Sequence, residues 1–145
     1  MLLATAENTE SLGRALAVEL RPGDVVALFG DLGAGKTTLT RGLLQGLGFQ
    51  GDVASPTFPI VQTYEDLRPP LWHVDLYRIE DPEETMELGL DEARTDAALV
   101  IEWPERLGAF LWQDALQLHL AVEPGGERSL TARVPPAWES RWPPR

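Results

Sequence analysis

An α/β fold with a mainly parallel central sheet flanked by helices, and an antiparallel hairpin appended to it, is predicted by three features of the chain. Val25-Val26-Ala27-Leu28-Phe29 is a short apolar run that leads through a glycine-rich loop into a helical pattern. Ala97-Ala98-Leu99-Val100-Ile101 is a second continuous apolar run, the pattern of a central strand covered on both faces. Alternation in Leu116-Gln117-Leu118-His119-Leu120 and again from Leu130 to Val134, around Pro124-Gly125-Gly126, reads as the closing hairpin, with His119 on its polar phase.

In chain order, a first helix is expected from an N-cap at Asn8 or Thr9 to about Leu20, with Leu12, Ala15, Leu16 and Leu20 as its apolar stripe. Arg21-Pro22-Gly23-Asp24 is a turn into the first apolar strand. Beyond the glycine loop, residues 38–47 place Leu39, Leu43, Leu44 and Leu47 on one helical face, and Gly48 supplies a stop. Residues 58–64 and 71–76, separated by Arg68-Pro69-Pro70, read as antiparallel extended neighbours. Asp81-Pro82-Glu83-Glu84 is a helix start, with Asp81 as cap, Pro82 in the first helical position and Gly89 as the stop, so the acidic cluster reads as capping. Residues 1–134 are expected to form one domain, and residues 135–145 a tail with four prolines and two tryptophans, Trp138 and Trp142. That tail suits a short docked turn better than a partner-binding or disordered segment.

The glycine loop carries the chemistry. Gly30-Asp31-Leu32-Gly33-Ala34-Gly35-Lys36-Thr37 reads G-x-x-x-x-G-K-[ST], the phosphate-cradling P-loop, and it sits between a strand and a helix as that chemistry requires. Backbone N–H groups around Gly33, Ala34 and Gly35 can wrap phosphates, and the helix N-terminus adds partial positive charge. Lys36 would reach the outer phosphates and the Thr37 hydroxyl would ligate Mg²⁺. Lys36 is also the only lysine in the chain, the other eleven cations being arginine. A compact ammonium folds back under a phosphate loop where a planar guanidinium is too wide. The sequence therefore predicts a P-loop NTPase fold that binds a nucleoside triphosphate. It contains no Asn-Lys-x-Asp guanine-reading motif, which favours ATP over GTP.

Such a loop needs a carboxylate at the end of a neighbouring strand, for the metal or its waters. Glu102 follows the stronger apolar run and is the preferred magnesium ligand; Asp75, in Leu71-Trp72-His73-Val74-Asp75, would orient the attacking water or support the metal from outside its ligand set. Thr57, in Ser55-Pro56-Thr57, could sense the γ-phosphate as switch-loop threonines do, although Ser-Pro-Thr is also a common turn. Trp103 would stack near the nucleotide or simply pack, the former preferred, and Arg78 could balance phosphate charge or pair with an acid.

Composition narrows the partners. The 145 residues carry a net charge of −11, and binding nucleic acid directly normally requires a basic face, so any nucleic acid is expected to be held by another protein. There is no cysteine, and two histidines are too few for a histidine-rich metal site. No apolar run approaches a membrane span, and a cytoplasmic location and a monomer are the expectations.

Four motifs occur in order: Gly-Asp-Leu-Gly-Ala-Gly-Lys-Thr-Thr at 30–38, Ser-Pro-Thr at 55–57, His-Val-Asp-Leu-Tyr-Arg at 73–78 and Glu-Trp-Pro-Glu at 102–105. In that register, across residues 8–122, the chain resembles the TsaE (YjeE) family, bacterial P-loop ATPases of tRNA threonylcarbamoyladenosine biosynthesis. The resemblance implies a small cytoplasmic Mg-dependent ATPase, weak alone and stimulated by two partner proteins, TsaD and TsaB. TsaD transfers a threonylcarbamoyl group to the adenosine beside the anticodon, and ATP hydrolysis resets the complex between turnovers. It also implies that Lys36, Thr37 and Thr38 bind phosphates, that Thr37 and Glu102 hold magnesium, that Asp75 supports hydrolysis and that Thr57 is the switch-loop threonine. Two other readings stand beside it. A small-molecule kinase would share the loop but lacks an obvious arginine-bearing lid here, and a nucleotide-dependent binding switch would scarcely turn over.

Overall fold

The two apolar runs lie side by side at the centre of a seven-stranded sheet. A computed structural model describes residues 1–53 and 60–144. Its elements are β1 (Leu2–Leu3), α1 (Ala6–Glu19), β2 (Val25–Phe29), α2 (Lys36–Gly46), β3 (Val61–Tyr64), β4 (Leu71–Asp75), α3 (Leu90–Ala93), β5 (Ala98–Glu102), β6 (Leu116–Val122) and β7 (Arg128–Arg133). Three 3₁₀ helices, Pro82–Leu88, Pro104–Phe110 and Pro136–Trp138, complete the set. The sheet order is β1-β7-β6-β2-β5-β4-β3. β4, β5, β2 and β6 run parallel, whereas β3, β7 and β1 join antiparallel at the two edges. The chain thus adopts an α/β fold around a mixed sheet. The hairpin is less separate than expected, because its first arm, β6, is also the fourth parallel strand.

Strand alternation divides the core. Val26, Leu28, Ala98 and Val100 face α1 and α2, while Val25, Leu99 and Ile101 face the other way, onto Leu76, Ile79, Leu90 and Leu107. That second face is covered by 3₁₀ turns and the single turn of α3, so long helices flank the sheet on one side only. α1 and α2 approach closely because neither carries a side chain at the crossing. A Cβ on Gly13 would collide with the Leu39 carbonyl and lie 2.6 Å from the Leu43 nitrogen, and one on Gly42 would collide with the Glu10 carbonyl.

Two expectations about helix starts are corrected. The N-cap of α1 is Thr5, not Asn8 or Thr9. Asn8 is instead the third helical residue of a reciprocal capping box: its N–H donates to Thr5 Oγ1 at 3.1 Å, and the Thr5 N–H donates to Asn8 Oδ1 at 3.2 Å. The segment after Asp81 is a 3₁₀ helix, Pro82–Leu88. Asp81 does cap it, accepting from the Glu83 N–H at 3.0 Å, and left-handed Gly89 (φ 71°) ends it.

The C-terminal segment packs on the rest of the chain. Trp138 is fully buried in the α1/α2 core. Arg141 donates to both carboxylate oxygens of Asp24, at 2.6 and 3.1 Å, and to the Glu19 carbonyl at 2.9 Å, tying this segment to the turn that feeds β2.

Candidate functional site

The site grows from the carboxyl ends of the parallel strands, where open α/β sheets bind ligands. β2 delivers the chain at Phe29 into the glycine loop, and the loop ends at Gly35, the N-cap of α2. Gly35 has φ 107° and ψ 11°, a conformation that strains any residue with a Cβ. No side chain caps α2, so its first-turn N–H groups face the cleft without a protein acceptor from the cap. Residues Gly33, Gly35, Lys36, Thr37 and Thr38 line this cleft, of about 390 Å³. Ala34 is buried behind the loop and does not form part of the wall.

Register brings the two carboxylates together. Asp75 of β4 pairs with Glu102 of β5, and Glu102 pairs on its other side with Leu28 of β2, so both acids emerge beside the loop. Both are buried and both line the cleft. Asp75 Oδ1 accepts from the Tyr77 N–H at 2.9 Å, which fixes the carboxylate at the strand end. Trp103 and Arg78 also line the cleft. Thr57 lies outside the described residues.

Lys36 is the unusual group. Its side chain is only 4% exposed, and Nζ has no hydrogen-bond partner among the described residues. The ammonium rests 3.9 Å from the centroid of the Trp103 ring. Trp103 holds that position in left-handed backbone (φ 58°), and among the described residues it alone does so without being glycine. Burial pushes the Lys36 ammonium below its usual value of 10.5; the fields of Glu102, Asp75, Glu105 and Asp31 oppose the shift without cancelling it. A buried cation without a hydrogen-bonding acceptor, at an uncapped helix N-terminus, is an arrangement completed by an anion.

Among the described residues, no group of three or more histidines, aspartates or glutamates is arranged to hold a metal ion. The donor set nevertheless suits Mg²⁺, which takes one or two carboxylates and fills its octahedron with phosphate oxygens and water. Thr37 and Glu102 are the residues that would hold it.

Three contributors were not singled out from sequence. His73, fully buried, meets Glu102 with Nε2 to Oε2 at 2.6 Å. An ionised Glu102 can only accept, so the ring donates from Nε2 and leaves Nδ1 without a partner among the described residues. A signal did exist, since His73 precedes Asp75 by two and shares its strand face. Arg128 reaches over from β7, donating to the Gly33 carbonyl at 3.0 Å and to the Gly126 carbonyl at 2.5 Å, and thereby braces the loop. The N-terminal residues Leu3 to Ala6 form a further wall of the cleft. No local pattern foretold either of these.

Comparison with known proteins gives concordant matches. Residues 3–130 match the family model described as Threonylcarbamoyl adenosine biosynthesis protein TsaE. The chain is 46% identical over 140 residues to the tRNA threonylcarbamoyladenosine biosynthesis protein TsaE of Streptomyces coelicolor, covering 85% of this chain and 95% of that protein. It is 42% identical over 126 residues to the Bacillus subtilis protein of the same description, covering 86% of this chain and 78% of the relative. The crystal structure of YdiB from Bacillus subtilis superposes with a TM-score of 0.82 at 34% identity, covering 97% of this chain and 88% of that one.

Proposed function

The chain belongs to the TsaE family of threonylcarbamoyl adenosine biosynthesis proteins, and from that membership we propose that it is a Mg-dependent ATPase with a P-loop NTPase fold, hydrolysing ATP to ADP and phosphate. In this reading hydrolysis resets the TsaD–TsaB threonylcarbamoyl-transfer complex between turnovers, and tRNA is engaged only through those partners. One observation carries the reading: the buried Lys36 ammonium, without a hydrogen-bond partner among the described residues, at the uncapped start of α2 beside Asp75 and Glu102. A polyphosphate supplies what that arrangement lacks.

Lys36 leaves the Trp103 face for the outer phosphates, whose charge offsets the cost of its burial. The N–H groups of Lys36, Thr37 and Thr38 donate to phosphate oxygens along the helix axis. The Thr37 hydroxyl and the Glu102 carboxylate would hold Mg²⁺, with His73 keeping Glu102 oriented from behind. A magnesium ion held there would supply Lewis-acid stabilisation of the charge that develops during phosphoryl transfer. Asp75, aimed by its hydrogen bond from Tyr77, orients the attacking water. Thr57 and Trp103 complete the assignment, as γ-phosphate sensor and as a wall near the nucleotide.

The test follows the γ-phosphate of labelled ATP, first with the chain alone and then with TsaD, TsaB and tRNA. Slow release of free phosphate alone, accelerated by the partners, is expected. Transfer of the label to a small molecule without partner stimulation would replace the ATPase with a kinase. No release under either condition would leave a nucleotide-dependent binding switch.

A further inference from the structure

On the sheet face away from α1 and α2, the 3₁₀ helices Pro82–Leu88 and Pro104–Phe110 and the short α3 enclose a groove of about 210 Å³. Leu90, Leu107 and Thr85 are its buried members, Met86 and Phe110 stand on its walls, and Asp91 and Glu92 mark its edge. It shares no lining residue with the nucleotide cleft. Met86 is 70% exposed and Phe110 44%, so two large apolar side chains border one opening in water. The opening is preformed. Trp112, also on its wall, donates Nε1–H to Asp91 Oδ1 at 2.7 Å and is backed by the Arg94 guanidinium 5.2 Å from its ring.

Residues 80–92, which form one wall of the groove, carry charge of one sign, whereas the other 3₁₀ wall carries Arg106 beside Glu105. Glu80, Asp81, Glu83, Glu84, Glu87, Asp91 and Glu92 occur within residues 80–92 without a lysine or arginine among them. Capping accounts for Asp81 and the hydrogen bond to Trp112 for Asp91. Among the described residues, no ion pair neutralises Glu83, Glu84, Glu87 or Glu92. Glu83 lies one 3₁₀ turn from Met86 and shares its face. Arg94, the next cation along the chain, is engaged by Asp114 at 2.6 Å and by the Gly23 carbonyl.

We infer that this groove is a docking site for an apolar side chain carried on a basic segment of the partner protein. The inference rests on the partner reading of the proposed function and adds the surface and the chemistry that the partner must present. The apolar walls provide the anchor pocket, with Met86 as an adaptable lip. The acidic border selects arginine or lysine on either side of the anchor and repels nucleic acid and anionic membrane. Both 3₁₀ walls lie downstream of the strands that end in Asp75 and Glu102, so a docked segment sits on the chain that leaves the nucleotide site.

The test titrates the purified TsaD–TsaB pair with the full chain and with three variants, Met86→Asp, Phe110→Asp and the double variant Glu83→Lys/Glu92→Lys, at low and physiological salt. Melting temperature and partner-free ATP turnover serve as folding controls and are expected to match the wild type. Each aspartate should weaken binding about tenfold or more; the double charge reversal should weaken it similarly and flatten its salt dependence. Met86→Asp keeps the test decisive if Phe110→Asp folds poorly, because Met86 is the more exposed. Wild-type binding by Met86→Asp, or by all variants, overturns the groove while leaving the ATPase reading intact. Failure of the wild-type chain to bind the pair overturns the partner reading, and this inference with it.

Discussion

Replacing Lys36 with methionine should stabilise the nucleotide-free protein while abolishing ATP binding. The side chain is 4% exposed and its ammonium has no hydrogen-bond partner among the described residues. Leaving such a buried group unsatisfied costs about 3 kcal/mol. The contact with Trp103 returns about 0.5–2 kcal/mol, and a methionine sulfur against the same ring would keep part of that. The net gain on substitution is about 1–2.5 kcal/mol, or a rise in Tm of about 2–10 °C for a chain of this size. The sign agrees with the lowered pKa, since burial outweighs all four opposing carboxylates. Differential scanning calorimetry without nucleotide reads the shift directly. The pH dependence provides a second check. Between the lowered folded value and 10.5, the unfolded chain holds a proton that the folded chain has released, so wild-type stability rises with pH through that window. The Lys36→Met variant lacks that rise, and its advantage closes as pH approaches 10.5. A fall in Tm on substitution at neutral pH would show that Lys36 is net favourable without nucleotide, and the anion-awaiting site would be wrong.

Asp75→Asn should lower ATP turnover about 100-fold or more while leaving ATP affinity near wild type, as steady-state kinetics and equilibrium binding will show; a comparable loss of affinity would remove Asp75 from the hydrolytic role. His73→Ala should raise the Mg²⁺ concentration needed for half-maximal turnover about tenfold, with a smaller effect on metal-free nucleotide binding. An unchanged Mg²⁺ titration would mean that Glu102 needs no support from His73. Trp138→Ala should cost about 3–5 kcal/mol of unfolding free energy in a denaturant titration, because the indole is fully buried in the α1/α2 core. A change below about 1 kcal/mol would show that the C-terminal segment contributes little to the fold.

Much of the architecture was legible because it is written in contiguous residues. The β2 run, the glycine loop and α2 follow one another within residues 25–46, and each has a short-range cause: continuous burial, left-handed glycine and a leucine stripe. The hairpin follows from alternation and a glycine turn in the same way. The sequence was less informative where two local solutions compete. Thr5 and Asn8 form one reciprocal cap, so reading the start at Asn8 or Thr9 placed α1 one turn too late. Pro82–Leu88 carries helix-start signals that serve a 3₁₀ as well as an α-helix, and between Asp81 and Gly89 it settles as 3₁₀.

What the chain determined by itself, then, is the place of the glycine loop between β2 and α2 and of the acids that end two strands, since these are carried by residue type and adjacency. Only the tertiary structure decided which distant groups support them. Strand order places β5 between β2 and β4, and this sets Glu102 against Asp75 and, 29 residues away, against His73. The brace from Arg128 to Gly33 spans 95 residues, and the clasp from Arg141 to Asp24 spans 117. Periodicity and propensity act over a few residues at a time, whereas these pairs form because burial of two apolar strand faces leaves the sheet one consistent order.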